Sequence, residues 1–213
     1  MNRIKKAGTL LAKAVAAGVL MASAGLAQAL PFSAFEGRNA DGTVNNTCTA
    51  TGGTKCVMIY ASTLDITILN NWDIGRGFWS ATAAVGSAQA LAETAGFNAT
   101  GLTGWRLPTG DRNQLPGAQN EYLSIWNDVG GTFINLASEF DDVRVNRYWS
   151  GSEVVASFAW FFGTGNGVQN VADEFNQYFA VAVRSGDVVP EPESLALVLV
   201  GLAAAGVARR RPL

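Results

Sequence analysis

The chain is 213 residues long, 48 % hydrophobic and 15 % charged, with two cysteines and no histidine. Without histidine, and with Lys55 as the one lysine between residues 30 and 189, the usual general bases, amine nucleophiles and histidine-containing zinc sites are missing. Over that stretch eight basic residues (Arg38, Lys55, Arg76, Arg106, Arg112, Arg144, Arg147, Arg184) stand against fifteen acidic ones, a formal charge of minus seven. That balance argues against nucleic acid and other phosphate-rich or sulfated polymers as partners, because they need a basic stripe.

The N-terminus carries Arg3, Lys5, Lys6 and Lys13, then an apolar run over residues 15–21, then Ala27-Gln28-Ala29. Charged, apolar and small-residue segments in that order predict a secretory signal peptide over residues 1–29, cut by signal peptidase after Ala29 to leave Leu30 first. A spanning or buried helix is the alternative, but this apolar core is shorter than the roughly 20 residues that cross a bilayer. Residues 30–56 read as an irregular lead-in rich in Gly, Asn and Thr. Cys48 and Cys56, delivered to an oxidising compartment, are expected to form one local disulfide worth about 2–3 kcal/mol.

Ordered structure is expected from Val57. Residues 57–60 and 64–69 are β-branched and apolar and read as two strands or one interrupted strand, a hairpin being one of the open arrangements. Residues 80–95 are alanine-rich, with Val85, Ala88, Ala92 and Ala95 on one helical stripe and Gly96 as a stop. Residues 101–109 form a loop that Trp105 and Leu107 anchor. Tyr122, Ile125, Trp126 and Val129 fall at helical spacing before Gly130-Gly131 and mark a second amphipathic helix. Strands follow at 148–152, 157–162 and 178–184, with Phe179, Val181 and Val183 sharing a face and Asn166-Gly167 suited to a hairpin turn. The fold class expected for residues 57–187 is α+β: a single irregular domain with two helices and an antiparallel sheet, flanked by the signal peptide and a C-terminal apolar helix. About 160 residues between the targeting ends make one domain's worth of core.

Residues 188–213 read Val189-Pro190-Glu191-Pro192, then an uncharged apolar run over 194–208, then Arg209, Arg210 and Arg211. Two alternate prolines favour an extended segment. The apolar run suits a marginal transmembrane helix, and the arginines stay on the cytoplasmic side. This three-part tail resembles the PEP-CTERM sorting signal. The resemblance implies a membrane-embedded exosortase as partner, recognition through Pro190, Glu191 and Pro192, and removal of the tail. An ordinary C-terminal membrane anchor is the alternative.

Gly104-Trp105-Arg106-Leu107-Pro108-Thr109, Tyr148-Trp149-Ser150-Gly151-Ser152-Glu153, Ala159-Trp160-Phe161-Phe162 and Val181-Ala182-Val183-Arg184 follow one another in the order of the Lcl C-terminal domain family. The chain resembles that family over residues 57–185, with Ile68 where a tryptophan is usual. The resemblance implies an irregular α+β module with a formylglycine-generating-enzyme or C-type-lectin-like fold. In it Trp105, Arg106, Leu107, Pro108, Trp149, Ser150, Trp160 and Arg184 are structural signature residues. Its founding collagen-like adhesin implies attachment to glycans or surfaces. No cysteine follows Cys56, so formylglycine-generating chemistry is not carried over.

Other motifs read more plainly. Residues 163–167 spell Gly-Thr-Gly-Asn-Gly, but no Lys-Ser/Thr pair or helix follows, which favours a hairpin turn over a phosphate loop. Trp126-Asn127-Asp128 has the spelling of a C-type-lectin calcium tripeptide but lies in a helical pattern. Glu139, Asp141 and Asp142, and Asp173 with Glu174, offer the oxygens calcium requires, although solvated acidic loops are the favoured account. The aromatic run Phe158, Trp160, Phe161 and Phe162 favours core packing over sugar stacking. The expectation is an exported, non-catalytic surface or matrix protein with no cofactor and no metal site, calcium apart. Its partners would be neutral polysaccharide or surface proteins, in adhesion or exopolysaccharide-associated biofilm. The alternative is a secreted glycan-cleaving enzyme using paired carboxylates.

Overall fold

A computed structural model describes residues 35–45, 47–48 and 56–188. The signal peptide with its Ala27, Ala29 and Leu30, and the tail from Val189 onward, lie outside these residues. Strand β1 (Phe35–Arg38) pairs antiparallel with β2 (Met58–Ala61), which forms a hairpin with β3 (Ile66–Leu69). The hairpin turn ends at Asp65, whose φ is 50°. Part of the expected irregular lead-in is therefore sheet. Phe-Glu-Gly-Arg shows little strand character alone, but β2 offers it an unpaired edge. Gly37 lets β1 lie against the Cys48–Cys56 disulfide, whose two sulfurs would collide with any Cβ at that position. The expected disulfide is present.

After the two-residue strand β4 (Arg76–Gly77) comes helix α1 (Ala88–Thr100). It starts eight residues later and ends five residues later than residues 80–95. Gly86 takes φ 85°, which a helix does not accommodate, and Ser87 Oγ accepts the Ala90 N–H at 3.1 Å as the N-cap. Val85, expected on the buried stripe, is 97 % exposed. Gly96 is buried within the helix, and Gly101, at φ 72°, stops it by donating to the Phe97 carbonyl at 2.7 Å. Gly96 serves a close approach, because a Cβ there would enter the Trp105 indole.

Helix α2 (Glu121–Asp128) buries Tyr122, Ile125 and Trp126 as the spacing predicts, and Asn120 caps it by accepting the Leu123 N–H. A further helix, α3 (Phe133–Glu139), was not anticipated; Thr132 caps it and it buries Leu136. The second sheet contains β5 (Arg147–Val155), β6 (Phe158–Gly163), β7 (Val168–Asp173) and β8 (Tyr178–Phe179); β9 (Val183–Ser185) joins the first. Strand orders are β1-β2-β3-β9 and β4-β8-β5-β6-β7, antiparallel except for β5 beside β8. The described residues thus hold three helices and two mostly antiparallel sheets, an α+β arrangement, where two helices and one sheet were expected. Residues 163–167 are the β6–β7 turn, with Gly167 at φ 70°.

The expected strand 178–184 is split, because the chain leaves one sheet after Phe179 and enters the other at Val183. Its side chains still alternate. Phe179, Val181 and Val183 enter a core with Trp72, Tyr122 and Tyr148, while Ala180 and Ala182 enter a second core with Trp105, Leu107 and Trp149. A segment buried on both faces must be small on at least one, which the two alanines supply.

Candidate functional site

The signature residues of the 105–110 loop are held by a dense set of buried contacts. Arg106 forms a two-pronged ion pair with Glu121, Nη1 to Oε2 and Nη2 to Oε1, each at 2.7 Å, and the Glu121 side chain is 2 % exposed. The same carboxylate accepts the Thr109 N–H at 2.8 Å, while Thr109 Oγ1 accepts the Glu121 N–H at 3.1 Å. This carboxylate hydrogen bonding raises the Arg106 pKa further, against the opposing effect of burial. Arg106 and Val183 exchange backbone hydrogen bonds at 2.8 Å, tying the loop to β9.

On the β5 side, Ser150 Oγ donates to the Gly110 carbonyl, Gly151 N–H donates to Pro108, and the Ser150 carbonyl accepts Trp79 Nε1 at 2.7 Å. Trp149 Nε1 donates to Gly77, and its carbonyl accepts the hydroxyl of Tyr122, whose pKa burial pushes well up. Trp105, Leu107, Trp149 and Ser150 are all buried. Trp160 is 4 % exposed on β6, beneath the Arg112 guanidinium. Arg184 is partly exposed and donates to the Thr103 carbonyl. These residues join loop, helix and both sheets, and of the loop's signature residues Trp105 keeps a buried Nε1 without a hydrogen-bond partner among the described residues.

The exit of the chain is as firmly held. Arg38, 3 % exposed, donates Nε and Nη2 to Asp187 at 2.9 and 2.7 Å and Nη2 to Glu36 at 2.7 Å. Gly186 N–H donates to Asp65, and Val188 packs over Gly42, whose φ of 84° and missing Cβ make room for it. The described fold therefore runs to the residue before Val189-Pro190-Glu191-Pro192.

The carboxylates considered for calcium have other neighbours. Asp141 Oδ2 accepts from Asn70, Asp173 Oδ1 accepts the Phe175 N–H, and burial raises the pKa of Glu139. Among the described residues, no three His, Cys, Asp or Glu side chains are grouped to hold a metal ion. Within Trp126-Asn127-Asp128, Trp126 packs on Phe162 and Asp128 accepts from Thr63.

The described residues include two open surface pockets. One of about 480 Å³ lies over Trp105 beside Phe97 and Glu93. The other, of about 560 Å³, lies among Asp73, Arg76, Arg144, Asn146 and Phe179. Sequence reasoning named none of the second group as a site, since none belongs to a motif; only the scarcity of basic residues in an acidic chain could have pointed to it.

The PEP-CTERM protein-sorting motif matches residues 188–211. No curated protein matches the chain. The match contains Pro190, Glu191, Pro192, Arg209, Arg210 and Arg211, and begins at the last described residue. The chain therefore carries a sorting signal that implies export to the cell envelope or surface, with an exosortase as processing partner. The match does not reach residues 57–185, and it gives no support to the Lcl C-terminal-like domain expected there. Among the described residues no helix is long and apolar enough to cross a membrane; the apolar run 194–208 lies outside them.

Proposed function

We propose that this protein is a non-catalytic adhesion or exopolysaccharide-associated module, delivered by an exosortase-type system to the envelope or the extracellular matrix. Within this proposal the Lcl-like signature residues are structural, residues 1–29 are removed by signal peptidase, and the apolar tail anchors the chain in the membrane until it is cut. The observation that carries it is the sorting motif at 188–211.

The test is expression in hosts with and without an exosortase, with intact mass read on each cell fraction. The proposal expects the N-terminus near Leu30 in both hosts and loss of the tail only where the exosortase is present. An intact tail in both hosts would overturn the sorting step and leave an anchored envelope protein.

A glycan-cleaving enzyme is the competing proposal, and one grouping supports it. The Glu174 carboxyl is held above its usual range by desolvation and then by the nearby charges of Glu153 and Asp173, and its Oε1 has no hydrogen-bond partner. Neighbouring carboxyl groups, one of them held in its protonated form more readily, are what glycoside hydrolysis uses. Release of reducing ends from matrix polysaccharide, abolished by Glu174→Gln, would replace the non-catalytic proposal.

A further inference from the structure

The pocket beside β4 combines features that a structural surface does not require. Arg76 is exposed and stacks its guanidinium on the Phe179 ring, 4.2 Å from the centroid, and among the described residues its side chain has no hydrogen bond or ion pair. Stacking fixes the guanidinium plane while leaving its N–H donors unsatisfied. Across the pocket, Arg144 sends Nε and Nη2 to the same atom, Asp73 Oδ2, at 3.0 and 2.9 Å. Among the described residues nothing pairs with Arg144 Nη1 or Asp73 Oδ1. The Asn146 side-chain oxygen is taken by the Arg147 N–H, which leaves its amide donors.

The wall carrying these groups is pinned from beneath. Buried Thr164 Oγ1 accepts the Asn146 N–H at 3.0 Å and donates to the Arg144 carbonyl, while the Tyr148 hydroxyl accepts the Arg144 N–H at 2.9 Å. Groups fixed in advance lose little freedom on binding. About 560 Å³ is within the range of small-ligand pockets.

We infer that this pocket binds the carboxylate of an acidic sugar, such as a uronate unit of an exopolysaccharide. Arg76 supplies the two parallel donors a carboxylate takes. Arg144, Asp73 and Asn146 supply the mixture of donors and acceptors that sugar hydroxyls need, and Phe179 and Val145 bound it with apolar surface. The acid-rich chain does not forbid this. Charges more than a Debye length away, about 8 Å at physiological salt, are largely screened, whereas a guanidinium in contact is not. The inference rests on the proposed polysaccharide-associated function and replaces its expectation of a neutral polymer with a carboxylated one.

The experiment uses the full chain purified in detergent, so that it does not depend on exosortase cutting. Tetragalacturonate, its methyl-esterified counterpart and hexaglutamate are titrated by calorimetry against this chain and its Arg76→Ala and Arg76→Lys variants. The inference expects binding of tetragalacturonate only. It expects at least a tenfold loss in Arg76→Ala, a partial loss in Arg76→Lys, and unchanged circular dichroism and thermal midpoint in both. Equal binding by Arg76→Ala, no binding of tetragalacturonate, or tighter binding of hexaglutamate would overturn it. A chain that binds the uronate yet keeps its tail in an exosortase host would retain this site while losing the sorting step.

Discussion

Arg106 and Arg76 are the same residue type put to opposite uses. Arg106 lies in the most recognisable stretch of the chain and is consumed by a nearly inaccessible Glu121. Arg76 belongs to no motif, stacks on Phe179 and keeps its donors open. A recognisable motif here marks where the fold is knotted, and ligand chemistry sits where nothing in the local sequence announces it. Buried charge pairs tolerate little change because each partner is costly alone, whereas an exposed arginine can be altered with little effect on folding.

The sharpest way to break that contrast is Arg106→Ala. It leaves a buried carboxylate without its cation, and a loss of about 3–5 kcal/mol is expected in urea unfolding. Arg106→Ala with Glu121→Gln should recover part of it, and a loss below about 1 kcal/mol would show the knot to be ornamental. Next comes Gly96→Ala, expected to cost about 1–3 kcal/mol because a Cβ meets the Trp105 ring. Gly101→Ala meets no atom and should cost only about 1 kcal/mol, through its φ of 72°. The reverse order would make Gly96 the helix stop after all.

Arg38→Ala should cost about 2 kcal/mol, less than Arg106→Ala because the side chains of Asp187 and Glu36, at 20 % and 52 % exposure, can turn to water. It frees the exit of the chain, so tail removal in an exosortase host should quicken. The smallest effect is at Glu139, whose carboxyl burial holds above its ordinary pKa. The fold favours its protonated form, so its contribution is present below the unfolded pKa and is lost as pH rises towards the folded value. Glu139→Gln should therefore gain less than about 1 kcal/mol at neutral pH and show no gain in acid. A gain that grows on acidification would reverse the assignment.

Legibility followed the range of the forces involved. The β2–β3 hairpin, α2 and the β6–β7 turn were readable because β-branched runs, helical spacing and Asn166-Gly167 act within a few residues. The limits of α1 were not. Alanine periodicity continues smoothly through 80–95, and what decides the start is Ser87 after a positive-φ Gly86 packed beside Phe78. Helix α3 is only seven residues long, too short for a periodic signal, and β1 is a strand chiefly because β2 and the disulfide lie beside it.

By itself the sequence determined that this protein carries an export-type sorting tail, that Cys48 and Cys56 pair, and that helices and strands mix in an acidic fold. Each is a local or compositional property. Only the tertiary structure decided that residues 178–185 cross between two sheets, that the Trp-Arg-Leu-Pro loop is a buried knot, and that Arg76, Arg144 and Asp73 share one pocket. Those facts depend on residues distant in the chain. Asp73 and Arg144 are 71 positions apart and Arg38 and Asp187 are 149 apart, and only the packing of the two cores brings such partners within hydrogen-bonding distance.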